Sequence, residues 1–256
     1  MSREPASPRQ TLGEWLAEGP FGLAMSSGFF GFFAHTGFLQ ALVDAGFAPS
    51  RASGSSAGAL VTGAYASGLE PDALASELRS LRREDFWDPA PGFGLLRGEL
   101  FRAKLAAMLR EPNIERCPVP LAISVHDVFG RETRVLTEGS LSTAIRTSCS
   151  VPLLFHPVVI DGRPHVDGGV SDRPGLLGMP LGGRVLFHHI ASRSPWRRAG
   201  SEGMKIPQRR GMVTIVMDDL PRSGPFRLAE GRRALEIARV TLASALARPV
   251  SDEMHL

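Results

Sequence analysis

Lysine is almost missing from this chain. Lys104 and Lys205 are the only two, so arginine carries nearly all the basic charge, and the net charge is only +3. The arginines are scattered among carboxylates and form no basic stripe, so no nucleic-acid partner is expected. Cysteine is equally scarce. Cys117 and Cys149 stand far apart with no C-x-x-C pairing, which excludes a disulfide framework and a zinc pattern and fits reduced thiols in a cytoplasmic protein. Long apolar runs are absent as well: no window reaches the roughly 18 uninterrupted apolar residues of a membrane span. The polar start "MSREPASPRQ" has no apolar region behind a basic one, so no signal peptide is expected. Transient contact with a membrane surface remains open to such a protein. Internal repeats and low-complexity blocks are missing too.

What is present is an ordinary globular composition, 43% apolar and 21% charged over 256 residues, enough for one large core. Residues 1–19 read as an N-terminal arm with a short helical piece near Leu12–Leu16, and 20–256 as one domain. Phe21 to Met25 reads as a buried strand, followed by a glycine loop, "SSGFFG". A helix follows, with apolar residues at Phe38, Leu39, Leu42 and Val43 and a stop at Gly46. A second extended segment ends at Gly54 and leads into the small, apolar helix "SAGALVTGAYASG". Two amphipathic helices flank "FWDPAPGFGLLRG", whose prolines and glycines predict a loop. Further on, "VPLAISVHDV" and "RETRVLTEG" read as strands, and Ser140 opens a short helix that ends before Pro152. A hairpin turns at Asp161–Gly162. Two more core strands precede a final helix with a stripe at Leu228, Leu235, Ala238, Leu242 and Ala245, and the tail beyond it, with His255, reads as loose. Strand and helix alternate, which predicts a layered α/β fold with a mainly parallel sheet.

Gly54-Ser55-Ser56-Ala57-Gly58 matches G-x-S-x-G, in which a serine sits on a sharp turn from strand to helix with its hydroxyl exposed at the helix N-terminus. There the helix dipole favours an alkoxide or oxyanion. A serine nucleophile needs a base. His126, His156, His165, His188 and His189 lie in or beside strands and His255 near the C-terminus, and none carries an acidic neighbour pattern. A carboxylate fits better: in "VDGGV", Asp167 ends a strand and two glycines after it let a second chain segment approach. On the residues alone, a histidine-dependent hydrolase stays open as an alternative.

The glycine loop at Ser27–Gly31, the Gly54–Gly58 motif and Asp167-Gly168-Gly169 come in one order, with 111 residues from Ser56 to Asp167. In that order they resemble the patatin-like phospholipases, lipid acyl hydrolases with a Ser–Asp dyad. "HTGFL" and "SCSVPLLFHPV" add weaker matches, and the likeness spans about residues 20–175. It implies a three-layer α/β/α sandwich with a mainly parallel central sheet. It further implies Ser56 as nucleophile, Asp167 as base and an oxyanion hole from the backbone of Gly28, Phe29 and Phe30. The motif glycines Gly54, Gly58, Gly168 and Gly169 support that arrangement. Lipid carboxylic esters, phospholipid or neutral, are the implied substrates, with no metal and no cofactor.

The chain departs from the family pattern twice. Phe30 stands where the glycine loop usually has a basic residue, which favours neutral esters and makes Phe29 and Phe30 candidates for acyl-chain contact. After D-G-G, Ser171-Asp172-Arg173-Pro174 keeps the family's proline and loses its asparagine. The altered loop also motivates a second expectation, a catalytically degenerate lipid- or partner-binding protein. Phe32, Phe33 and Phe38 are expected to begin a core helix. Phe86, Trp87 and Phe93 are lid or membrane-edge candidates.

Overall fold

A computed structural model describes residues 10–191 and 205–256. The chain opens with α1 (Leu12–Ala17), capped by a reciprocal pair in which Thr11 accepts the Glu14 N–H and Glu14 accepts the Thr11 N–H. Its Leu12 and Leu16 are buried, so this piece is packed and not loose. There follow β1 (Gly22–Met25), α2 (Phe32–Asp44), β2 (Arg51–Ser55), α3 (Ala57–Ala66) and α4 (Pro71–Ser80). Next come β3 (Gly94–Leu96), α5 (Glu99–Met108), β4 (Leu121–Asp127), β5 (Glu132–Leu136) and α6 (Leu141–Ser148). The remainder is β6 (Leu153–Phe155), β7 (Val158–Ile160), β8 (Arg163–Asp167), β9 (Val185–Ile190), β10 (Met212–Met217), α7 (Leu228–Ala245) and β11 (Glu253–His255).

Nine strands form the central sheet in the order β11-β10-β9-β1-β2-β4-β8-β7, with β5 also paired to β4. The run from β11 to β4 is parallel, and β5, β7 and β8 are antiparallel additions at one side. β1, β2, β9 and β10 are buried along nearly their whole length, as expected for parallel strands covered on both faces. The mainly parallel α/β reading is therefore correct. Helix α2 lies against α7, and the contact is close because Gly37 has no side chain: a Cβ there would sit 1.9 Å from the Leu235 carbonyl oxygen. The α7 stripe reaches the core at Leu235, Ala238, Leu242 and Ala245. No helix among the described residues is long and apolar enough to cross a membrane.

Two expectations fail, both through pairing with distant chain. The "FWDPAPGFGLLRG" loop contains β3, which pairs in parallel with β6 as a separate two-stranded sheet. The tail is not loose: β11 adds a strand beside β10, and His255 bonds Asp218 at 2.7 Å. Neither segment carries enough periodicity by itself to signal a strand.

Candidate active site

Ser56 occupies the turn from β2 into α3 with φ +52° and ψ −119°, a conformation that costs a non-glycine residue about 1–3 kcal/mol and persists only when its surroundings enforce it. The flanking glycines make the turn possible. A Cβ on Gly54 would lie 2.5 Å from the Gly58 carbonyl carbon, and one on Gly58 would lie 2.1 Å from the Met25 oxygen. These two positions thus let α3 begin directly over β1 and β2.

Asp167 ends β8, almost fully buried. Its Oδ2 accepts the Ser56 hydroxyl at 2.6 Å, and its Oδ1 accepts the Gly169 N–H at 2.7 Å. The antiparallel pairing of β8 with β4, two strands from β1, brings the two residues together. Burial raises the Asp167 carboxyl to about 6, against the lowering effect of its bonds to Ser56 and Gly169. Gly168 and Gly169 are again sites of close approach: Cβ atoms there would fall 2.1 Å from the Ser124 oxygen and 2.6 Å from Ser27 Oγ.

The end of α6 braces both residues, a role that the "SCSVP" likeness did not spell out. Ser148 Oγ accepts the Ser56 N–H at 2.8 Å and donates to the Ser124 carbonyl at 2.7 Å. Cys149 Sγ donates to the Ser56 carbonyl at 3.2 Å, and the Ser150 carbonyl accepts the Asp167 N–H at 2.9 Å. The segment after D-G-G is tied down by Asp172. Its carboxylate accepts the Ser124 hydroxyl at 2.7 Å and the N–H groups of Gly175, Leu176 and Leu177.

Ahead of the serine, the loop between β1 and α2 is held from several sides. Ser27 N–H donates to the Arg173 carbonyl, Gly31 N–H to the Gly28 carbonyl, and Ser223 Oγ to the Phe30 carbonyl at 3.0 Å. Phe30 takes φ +54°. The N–H groups of Gly28, Phe29 and Phe30 have no acceptor among the described residues, and all three residues border the same cavity as Ser56. Ala57, the first residue of α3, borders it too, and its N–H belongs to the first turn, where helical amides have no intrahelical partner. It is an additional donor candidate, signalled by its place directly after the motif serine.

Beneath this loop lies a buried histidine pair. His35 Nε2–H donates to the Ser26 carbonyl at 2.8 Å, which leaves His35 Nδ1 to accept the Nδ1–H of His188 at 2.9 Å. Burial depresses His35 to about 4 and His188 well below its ordinary value, so both are neutral supports of the loop. None of the histidines hydrogen-bonds Ser56 or Asp167 among the described residues.

The cavity, of about 90 Å³, is lined almost wholly by apolar atoms. Phe29 and Phe30 both line it: Phe29 is half exposed, and the Phe30 ring packs 5.2 Å from Phe32 and 5.8 Å from Phe86. Phe33 and Phe38 are core residues as expected, but Phe32 faces the cavity. Phe86 is buried in its wall and Trp87 packs on Phe226, so of the three edge candidates only Phe93 is strongly exposed.

A buried serine on a strand–helix turn facing a carboxylate, in a mainly parallel α/β sheet, defines the class. The sequence profile of that class, Patatin-like phospholipase, matches residues 23–178, more than half of the chain. The protein belongs to the patatin-like phospholipase family. Uncharacterized NTE family proteins of Mycobacterium tuberculosis and Mycobacterium bovis are 32% identical over 79 residues, 31% of this chain and 22% of theirs. The matched part thus spans about a fifth of those relatives' length. Among solved structures, VipD from Legionella pneumophila shares the fold with a TM-score of 0.60 at 14% identity, covering 89% of this chain and 67% of VipD.

Proposed function

We propose that the protein hydrolyses lipid carboxylic esters through an acyl-serine intermediate, with Ser56 as nucleophile and Asp167 as base. The observation that carries this reading is the 2.6 Å bond from Ser56 Oγ to Asp167 Oδ2 at the floor of an apolar cavity. Asp167 takes the hydroxyl proton as Ser56 Oγ attacks the ester carbonyl. The oxyanion is met by the free amides of Gly28, Phe29 and Phe30, fixed before charge develops. Collapse expels the alcohol, which takes the proton back from Asp167. Water then gives a proton to Asp167 and its oxygen to the acyl carbon, releasing the acid and restoring Ser56. A carboxyl raised to about 6 is a better base than an ordinary aspartate and is still ionised at neutral pH. The phenylalanine in the loop favours neutral or uncharged ester groups over a phosphate contact at that point. Exposed Phe93, Leu95 and Leu153, on and beside the β3–β6 sheet, are the residues we place against a lipid surface.

A fluorophosphonate probe tests the nucleophile. Wild type should be labelled on serine and Ser56→Ala should not, with lipid-ester turnover lost in parallel. An unlabelled, folded wild type would leave a binding protein in place of an enzyme. The base is tested by pH. Because Asp167 must be ionised to act, kcat/KM should rise with an apparent pKa near 6, lying about tenfold below its plateau at about pH 5. A profile flat from about pH 5 upward would show that Asp167 is not the titrating base.

A further inference from the structure

The cavity over Ser56 has two charged residues in an otherwise uncharged lining, Glu77 on α4 and Lys104 on α5. They pair with each other, Lys104 Nζ donating to Glu77 Oε2 at 2.7 Å. Both side chains are partly exposed, 30% and 41%, while the cavity surface is nearly all apolar. The charged heads therefore face outward and the methylene stems face the cavity, as long side chains do at an apolar boundary.

The position of this pair in the fold gives it a consequence. Helix α4 packs on α2 and α7, whereas α5 packs on α6, and α4 and α5 make few contacts with each other. The space between them is the cavity itself, bordered by Leu78 and Leu81 on one side and Leu105 and Met108 on the other. None of these residues hydrogen-bonds Ser56 or Asp167, and they line the cavity together with Ser56 and its glycine loop. The ion pair spans the gap between the two helices.

We propose that the Lys104–Glu77 pair is a latch that closes the outer wall of the acyl pocket and limits the length of acyl chain the site accepts. The proposal rests on the hydrolase reading and adds a substrate class to it, esters of short and medium acyl chains. A longer chain would have to part the pair or end against it, and desolvating either charge without its partner is costly. A partly exposed pair adds little to folding, about 0–1 kcal/mol, so its loss leaves the protein folded.

The test compares p-nitrophenyl hexanoate with p-nitrophenyl palmitate in wild type, Lys104→Ala, Glu77→Ala and the charge-exchanged double variant Glu77→Lys/Lys104→Glu. The palmitate-to-hexanoate ratio of kcat/KM should rise about fivefold or more in each single variant, a size typical of changed pocket contacts. The exchanged pair should bring it back toward wild type. An unchanged ratio in both single variants, with hydrolysis still dependent on Ser56, overturns the latch and leaves the hydrolase reading standing. Hydrolysis independent of Ser56 overturns that reading instead. Displacement of a fluorescent fatty acid by hexanoate and palmitate reads the same selectivity without turnover. Equal palmitate preference in wild type and both single variants there also overturns the latch.

Discussion

Asp167→Asn should lower kcat for ester hydrolysis by about a thousandfold or more while leaving the protein folded. The geometry dictates both halves of this result. In the variant the amide oxygen keeps accepting the Gly169 N–H, which now holds Oδ1 at 2.7 Å. The amide nitrogen is then left facing the Ser56 hydroxyl, a donor where an acceptor was, and it cannot take the proton. The fold should gain from the exchange. In the unfolded chain Asp167 ionises near 3.8, and in the fold it keeps its proton to about 6. Between those values the native state binds more protons, so stability falls as pH rises, and the cost is complete above about pH 6. The gap from 3.8 to about 6 corresponds to an upper bound of about 3 kcal/mol at neutral pH. Thermal denaturation at pH 5 and pH 8 with parallel kinetics checks both: an active variant, or one less stable than wild type at pH 8, contradicts the role given to this carboxylate.

Gly58→Ala should lower stability by about 3 kcal/mol or more, because the added Cβ would fall 2.1 Å from the Met25 oxygen and 2.6 Å from its carbon. Both are backbone atoms of the central strand β1, which is paired on both sides and cannot move aside cheaply. For a chain of this size the melting temperature should fall by about 6–12 °C. Gly183→Ala is the control: nothing lies within 4 Å of its added Cβ, and the melting temperature should stay within about 2 °C of wild type. Equal melting temperatures for the two variants would refute the close-approach account of the motif.

These two predictions also mark what could be read from the amino-acid order. The local backbone demands at Gly54, Ser56, Gly58 and Asp167 were legible: a sharp turn, close crossings and a strand end. The alternation of apolar segments likewise gave the mainly parallel sheet. The bracing by Ser148 and Ser150 was not legible, since it depends on where α6 ends relative to β2 and β8. Nor was the Asp172 carboxylate, whose four acceptor contacts tie the segment after D-G-G to Ser124 and to the backbone of Gly175, Leu176 and Leu177. β3 and β11 stayed hidden because a three-residue strand has no periodicity of its own, only a partner. Phe32 shows the same limit within a helix, where spacing alone does not separate a core face from a cavity face.

The peptide unit between Phe30 and Gly31 is fixed at both ends, its N–H on the Gly28 carbonyl and its C=O under Ser223. The ring of Phe30, meanwhile, leans into the cavity. Main chain and side chain at this position therefore serve separate ends. The main-chain anchors come from the Gly28 carbonyl and the Ser223 hydroxyl, while the ring adds apolar surface to the cavity over Ser56. The backbone of this loop is thus held by hydrogen bonds of its own, and its ring by contacts made inside the cavity.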